Sequence, residues 1–489
     1  MGGGEKRAMS FLTRRRSIDT ITAFEHGARL KPTLSWPHLI ALGVGAIVGT
    51  GIYTLIGVGA AKAGPAVMLS FLIAGGVCIF AALAYAELAT MIPASGSAYT
   101  YSYAALGEGL AWIIGWSLIL EYSLVVSAVA VGWSGYFTGF LDSMGWGLPA
   151  YLTSGPFGTE NPGLVNLPAV GIVGVVAGLL MVGMRESATI NAILVIVKVA
   201  ALAAFVFIAA PHFDPANLSP FMPYGFGKSE TNINGEAVSV GVMAAAAIIF
   251  FAFYGFDAVS IAAEETKNPG RDLTIGIVGS MVVCMIIYLA VAAAAIGAMP
   301  FMDFASSGEP LAHIARTLGS DLAATVIAGA AIVALPTVLL AFMYGQSRIF
   351  FVMARDGMLP RRLAEVSAKR GTPVLMTGVT AILMAVVAGL FSLGELAALA
   401  NAGTLAAFIA VGASLIVLRL QQPKRVRLFK APLWPLVGAG CIAGCLYLFV
   451  SLPVSTQVNF FIWNAAGLAL YLLFARRNTR LAKGEETPA

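Results

Sequence analysis

Nine residues, Gly43-Val44-Gly45-Ala46-Ile47-Val48-Gly49-Thr50-Gly51, carry four glycines inside an apolar stretch running from about Trp36 to Ala60. Each glycine costs a helix roughly 1 kcal/mol relative to alanine. Unwound backbone at membrane depth persists only where protein or a cavity supplies its hydrogen bonds. A break here exposes free N–H groups, which hold anions, and free carbonyls, which hold cations. The competing reading is that the glycines let a neighbouring helix approach closely. Ionisable side chains deep in apolar runs include Glu121, Lys198 and Asp257. Such residues are costly in a bilayer and mark functional sites by default.

The elements that must position these groups are membrane spans. The chain has 489 residues, of which 59% are hydrophobic and 11% charged, against about 25% charged in soluble chains. The net charge of +5 therefore does not point to nucleic acid. Apolar runs of spanning length fall at about 36–60, 67–92, 104–134, 167–184, 190–211, 238–262, 274–297, 320–350, 373–391, 396–419, 433–452 and 457–475. This is an all-α polytopic membrane protein with twelve transmembrane helices. No cleavable signal peptide is expected, because the first run follows about 35 polar, basic residues and is full length. All but four of the 29 lysines and arginines lie on the side that holds both termini, which places both ends in the cytoplasm. Lys62, Lys228 and Arg316 lie opposite, and Lys198 alone lies within a span. Residues 1–35 and 476–489 are then cytoplasmic ends, with a short helical pattern at Ile18, Ile21 and Phe24.

Asp257 follows Phe250-Phe251-Ala252-Phe253-Tyr254-Gly255-Phe256 in span six. It fits a helix that unwinds near Gly255 and restarts with the aspartate as its cap; pairing with a neighbouring helix is the alternative. Spans one and six open two five-span halves, residues 36–211 and 238–419, followed by two further helices at 433–475. An odd number of spans inverts the second half. Matched interruptions in two such halves point to the midplane site of a secondary transporter. Half-helix N-termini suit a carboxylate and half-helix C-termini an ammonium group, so the pair suits a zwitterion such as an α-amino acid. An intramembrane enzyme would need a nucleophile and base, or a metal cluster, at one depth. The four cysteines read as small buried residues and the four histidines lie in or beside loops. A channel would show filter loops or charged rings.

Several motifs carry a family resemblance. Gly45-Ala46-Ile47-Val48-Gly49-Thr50-Gly51-Ile52 resembles the first-helix motif of the amino acid–polyamine–organocation (APC) superfamily. Tyr85-Ala86-Glu87-Leu88, with Pro93-Ala94-Ser95-Gly96-Ser97-Ala98-Tyr99, resembles its second-helix signature. Gly115-Trp116-Ser117-Leu118-Ile119-Leu120-Glu121-Tyr122, Ala263-Glu264-Glu265-Thr266-Lys267-Asn268-Pro269, Gly345-Gln346-Ser347-Arg348 and Met353-Ala354-Arg355-Asp356-Gly357 resemble bacterial members of its cationic amino acid transporter subfamily. The resemblance implies a five-plus-five inverted repeat of the leucine-transporter type with two C-terminal helices. It implies import of neutral or cationic L-amino acids across the cytoplasmic membrane, with an exchanger, a sodium-coupled permease and a transport-inactive sensor as alternatives. It carries substrate contacts onto Ile47, Gly49, Thr50 and Gly51, and onto Phe250, Phe251, Ala252, Phe253 and Phe256. It places Lys198 where proton-coupled relatives have a lysine and sodium-coupled ones hold sodium. The ammonium would bridge a span-one carbonyl to the hydroxyl of Thr337, although Pro336 puts that geometry in question. No cofactor is expected beyond the coupling proton. Besides the bilayer, a small single-span partner subunit stays open.

Two further residues are read as substrate contacts. Glu121 would pair with a cationic side chain, line a neutral pocket in protonated form, or bond between helices. Ala341, one turn after Thr337, would border the side-chain subsite. Glu87, Glu264 and Glu265 are read as a cytoplasmic gate network with cations such as Arg348.

Overall fold

The computed structural model describes residues 14–24, 34–93, 96–157, 162–182, 188–233, 236–261, 266–360 and 374–483. In chain order the first elements are α1 (Ile18–Phe24), α2 (Trp36–Ile47), α3 (Thr50–Tyr53), α4 (Leu55–Ala63), α5 (Val67–Met91), α6 (Ser97–Ala105), α7 (Glu108–Ser143), α8 (Leu167–Val182) and α9 (Ala188–Ala209). A hairpin, β1 (Ser229–Ile233) and β2 (Glu236–Val240), leads into α10 (Val242–Ile249), a 3-10 turn (Phe250–Phe253) and α11 (Phe256–Ile261). Then come α12 (Thr274–Ala298), α13 (Phe301–Phe304), α14 (Pro310–Thr317), α15 (Asp321–Arg355), α16 (Val374–Leu390), α17 (Leu393–Gln421), α18 (Trp434–Ser451) and α19 (Val454–Leu470). A π-helical turn, Tyr471–Ala475, joins α19 to α20 (Arg476–Asn478) and α21 (Arg480–Lys483).

Among the described residues eight helices are long and apolar enough to cross a membrane, with shorter apolar helices at Trp36–Ile47, Leu167–Val182, Val242–Phe253 and Val374–Leu390. This makes a mostly helical, multi-pass membrane protein. Each apolar run of the sequence holds helix, with altered limits. The run at 104–134 becomes α7, extended to Ser143 and cut off from α6 by Gly107 at φ 113°. The run at 320–350 extends to Arg355.

The core is built around α7. Both α15 and α17 pack along it, while α2 and α5 lie against α12. The same α12 also contacts α9. Polar groups of the loops around the hairpin are used locally: Lys62 Nζ donates to Ser239 O at 2.9 Å, and Lys228 Nζ donates to Leu452 O at 2.6 Å. The hairpin is thereby fixed to the end of α4 and to the α18–α19 turn.

Candidate functional site

The glycine run breaks late. Gly43 and Gly45 stay inside α2, and Val48 N–H still donates to Val44 O at 2.8 Å. The chain then extends through Val48 and Gly49, and a new helix starts at Thr50. The second break lies at Tyr254 and Gly255, where Tyr254 is extended and Gly255 sits at φ 109°. The two breaks touch. A Cβ on Gly51 would stand 2.2 Å from Ala252 Cα, and one on Gly255 would stand 2.7 Å from the Ala46 carbonyl carbon. Close packing and unwinding are therefore one feature, not alternatives.

Side chains from other helices satisfy many of the freed backbone groups. Tyr288 of α12 places its hydroxyl 2.9 Å from Ile47 O and 3.0 Å from Ala252 O, sharing one proton between the breaks. Asn401 of α17 donates to Ala247 O at 2.6 Å and Ile248 O at 3.0 Å, and Tyr254 donates to its side-chain oxygen. Tyr136 donates to Tyr53 O at 2.6 Å. The first N–H groups of α3 have no intrahelical partner by construction.

A small cavity opens between the breaks. It is lined by Ala46, Ile47, Gly49, Thr50, Gly51, Val125, Val129, Phe251, Tyr254, Val338 and Phe342, and its open space is about what one water needs. One wall is backbone and the Thr50 hydroxyl, which is buried with no hydrogen-bond partner among the described residues. The facing wall of valines and phenylalanines is apolar.

Five of the residues read as substrate contacts line this cavity: Ile47, Gly49, Thr50, Gly51 and Phe251. The others do not, for identifiable reasons. Phe250 and Phe256 pack on Phe408, and Phe253 packs on Phe71 and Tyr288. Ala252 is pressed against Gly51, its carbonyl taken by Tyr288. Ala341 lies on the exposed side of α15, because a residue four after Thr337 keeps to the outer stripe; Val338 and Phe342 line the cavity in its place.

Glu121 is buried one helical turn before Val125, its Oε2 without a hydrogen-bond partner among the described residues, and is not a lining residue. Asp257 is not the cap. It is the second residue of α11, bonded by Tyr122, with Gly255 and Phe256 before it.

Lys198 is 1% exposed, midway along α9. Its ammonium donates to Gly45 O at 3.0 Å and to Thr337 Oγ1 at 3.0 Å. Thr337 passes its own proton to Ala334 O at 2.7 Å, so its lone pair faces the lysine. Pro336 leaves α15 continuous. The carbonyl its missing N–H would have engaged is that of Ile332, and Trp133 Nε1 donates to it at 2.9 Å.

The gate network differs from the expected one. Glu87, 1% exposed, pairs with Arg419 at 2.7 Å and Arg427 at 3.0 Å and accepts from Ala431 N–H at 2.7 Å. Arg348 instead folds over the ring of Tyr344, 4.2 Å from its centroid. Glu264 and Glu265 lie outside the described residues.

Sequence reasoning missed Tyr288, Asn401 and Trp133. Each is a polar-tipped side chain in an apolar run, and a buried hydroxyl, amide or indole N–H needs a partner; that signal names the residue but not its target.

Two touching broken helices with a half-apolar cavity define a polytopic membrane permease. A family model described as amino acid permease matches residues 34–474, and the chain belongs to that family, within the APC superfamily. It is 44% identical over 470 residues to a branched-chain amino acid permease of Bacillus subtilis (strain 168), covering 96% of this chain and 98% of the relative. It is 40% identical over 476 residues to a methylthioribose transporter of the same organism, covering 97% and 100%. A vacuolar cationic amino acid transporter of Arabidopsis thaliana is 37% identical over 434 residues, covering 86% and 65%. These relatives are named as permeases and transporters, not enzymes.

Proposed function

We propose that the chain imports uncharged aliphatic L-amino acids across the cytoplasmic membrane by alternating access, coupled to protons through Lys198. It crosses the bilayer twelve times, as inverted halves at 36–211 and 238–419 plus the pair at 433–475, with both termini cytoplasmic. The substrate's carboxylate meets the N–H groups that open α3 and the Thr50 hydroxyl. Its side chain meets Val125, Val129, Val338 and Phe342. Among the described residues no carboxylate lines this wall to pair with a cationic side chain, and the relative named as a branched-chain amino acid permease supports that reading.

The observation that carries the coupling is the Lys198 ammonium held between Gly45 O and Thr337 Oγ1. An ammonium has three donors and no acceptor. While protonated it ties α2, just before its break, to α15. Losing the proton removes a donor and the charge, which weakens both bonds and frees the inner half of the broken helix. The test is uptake into proteoliposomes of leucine, isoleucine, valine, alanine, arginine and methylthioribose, with a pH gradient, a sodium gradient or neither. Accumulation of the aliphatic amino acids under the pH gradient alone is expected. Accumulation that follows sodium, or arginine as the preferred substrate, would refute the corresponding half of the proposal.

A further inference from the structure

The first and last described segments meet on one face of the helix bundle. Residues 14–24 form a strap. Glu108 N–H donates to Arg14 O at 2.8 Å, and Arg16 N–H donates to Tyr103 O at 3.3 Å. The Arg16 guanidinium pairs with Asp356 Oδ1 at 3.0 Å, with side chains only 3% and 4% exposed. Ile18 and Ile21 are buried beneath. Asp356 lies one residue past α15, and Tyr99 donates to its other oxygen at 2.8 Å. Burial pushes the Asp356 carboxyl up, while Arg16 foremost and Tyr99 pull it back.

The two residues that grip the strap are held from behind by the C-terminal segment. The Glu108 carboxylate accepts from Tyr471 at 2.9 Å and from the Thr479 hydroxyl at 3.2 Å. The Asp356 carbonyl accepts from Arg480 N–H at 3.2 Å. At Gly357, φ 79°, a Cβ would stand 2.4 Å from Asn478 O, so this turn has no room for a side chain. Thr479 is fully buried and also receives Ala482 N–H at 3.1 Å, capping α21. The segment is delivered here by α19, which is bolted along α7. Trp116 and Trp463 exchange indole-to-carbonyl bonds at 2.9 and 3.1 Å, and Trp112 donates to Gly467 O at 2.8 Å.

We propose that the C-terminal segment, residues 471–483, builds the socket in which the N-terminal strap seats, and so sets how readily the strap leaves it. The strap precedes α2 in the chain, so its release is what lets the inner half of the broken helix swing. That consequence rests on the alternating-access reading; the socket itself does not. Thr479 and Arg480 are positioning residues that act on the strap through Glu108 and Asp356.

The test places one reporter cysteine in the strap, Ile21→Cys, in the full-length chain in lipid nanodiscs. The four native cysteines are buried, and the parent chain measures their background. The rate of modification by a membrane-impermeant maleimide is then compared across variants. Thr479→Val, and a chain ending at Arg477, each speed labelling about tenfold, the scale of losing a buried hydrogen bond to a charged group. Thr479→Ser keeps the parent rate. Unchanged labelling in well-folded Thr479→Val protein overturns the proposal, and so does Thr479→Ser labelling as fast as Thr479→Val. Labelling needs no substrate, so a failed uptake assay would count against the transport reading alone.

Discussion

The ammonium of Lys198 sits 3.0 Å from the carbonyl oxygen of Gly45, five residues before Thr50 begins the restarted helix. A charge on α9 is thereby tied to the broken helix that lines the cavity. Replacing Lys198 with methionine keeps much of the apolar stem and removes the charge and all three donors. Lys198→Met is expected to abolish pH-driven accumulation while leucine binding, read by thermal shift, persists. Full accumulation in this variant would end the proton-carrier role.

Thr337 supplies the lysine's second partner and disposes of its own proton on Ala334 O. Thr337→Ser preserves this relay and is expected to transport. Thr337→Val keeps the shape but leaves a buried ammonium short of an acceptor, at a cost of about 1–3 kcal/mol. Its pH-driven uptake should fall at least tenfold, with equal uptake by the two variants as the contrary result.

Much of this site was legible before any coordinates, because two physical signals are local in sequence. Glycines clustered in an apolar run announce a break, and a lone lysine among 29 cations without a loop to sit in announces a buried one. The Lys198–Thr337 pairing came from resemblance, and the geometry bears out the contact. What was not legible is direction. Phe250, Phe251, Phe253 and Phe256 have the same chemistry in sequence, yet only Phe251 reaches the cavity, because a 3-10 turn and an extended Tyr254 rotate the others into the core. Ala341 failed as a subsite residue because Thr337 faces α9, not the cavity. Glu87 found Arg419 and Arg427 instead of Arg348, a choice made by long-range packing of the α17–α18 loop that no local pattern encodes.

The proline in α15 offers a stability test. Trp133 Nε1 fills the Ile332 carbonyl that Pro336 leaves open. Trp133→Phe keeps an aromatic ring against Phe137, its stacking partner at 4.8 Å, but strands the carbonyl. A loss of about 1–3 kcal/mol, seen as a lower melting temperature in detergent, is expected. Pairing it with Pro336→Ala, which restores the backbone N–H, should recover most of that loss; no recovery would show that the indole bond does something else.

The proposed site makes the apolar wall the limit on substrate size. Val338→Phe adds bulk where Val338 and Phe342 face the break. Leucine uptake should drop by roughly 10–200-fold, the range a small change in pocket volume commands, while alanine uptake falls much less. If both fall alike, the side chain does not point at this wall.

Glu121 lies beneath the cavity lining, one turn before Val125. Glu121→Gln is therefore expected to change alanine and arginine uptake by the same factor in competition assays. Selective loss of arginine would bring the carboxylate back into the substrate's reach.

The central claim is that a proton on Lys198 drives an uncharged amino acid through the break at Val48–Gly49. The most direct measurement is leucine-dependent proton entry into sodium-free proteoliposomes, followed with an internal pH dye. Leucine is expected to acidify the lumen with the wild-type chain and not with Lys198→Met. Leucine uptake without proton movement, or proton movement that survives Lys198→Met, would contradict it.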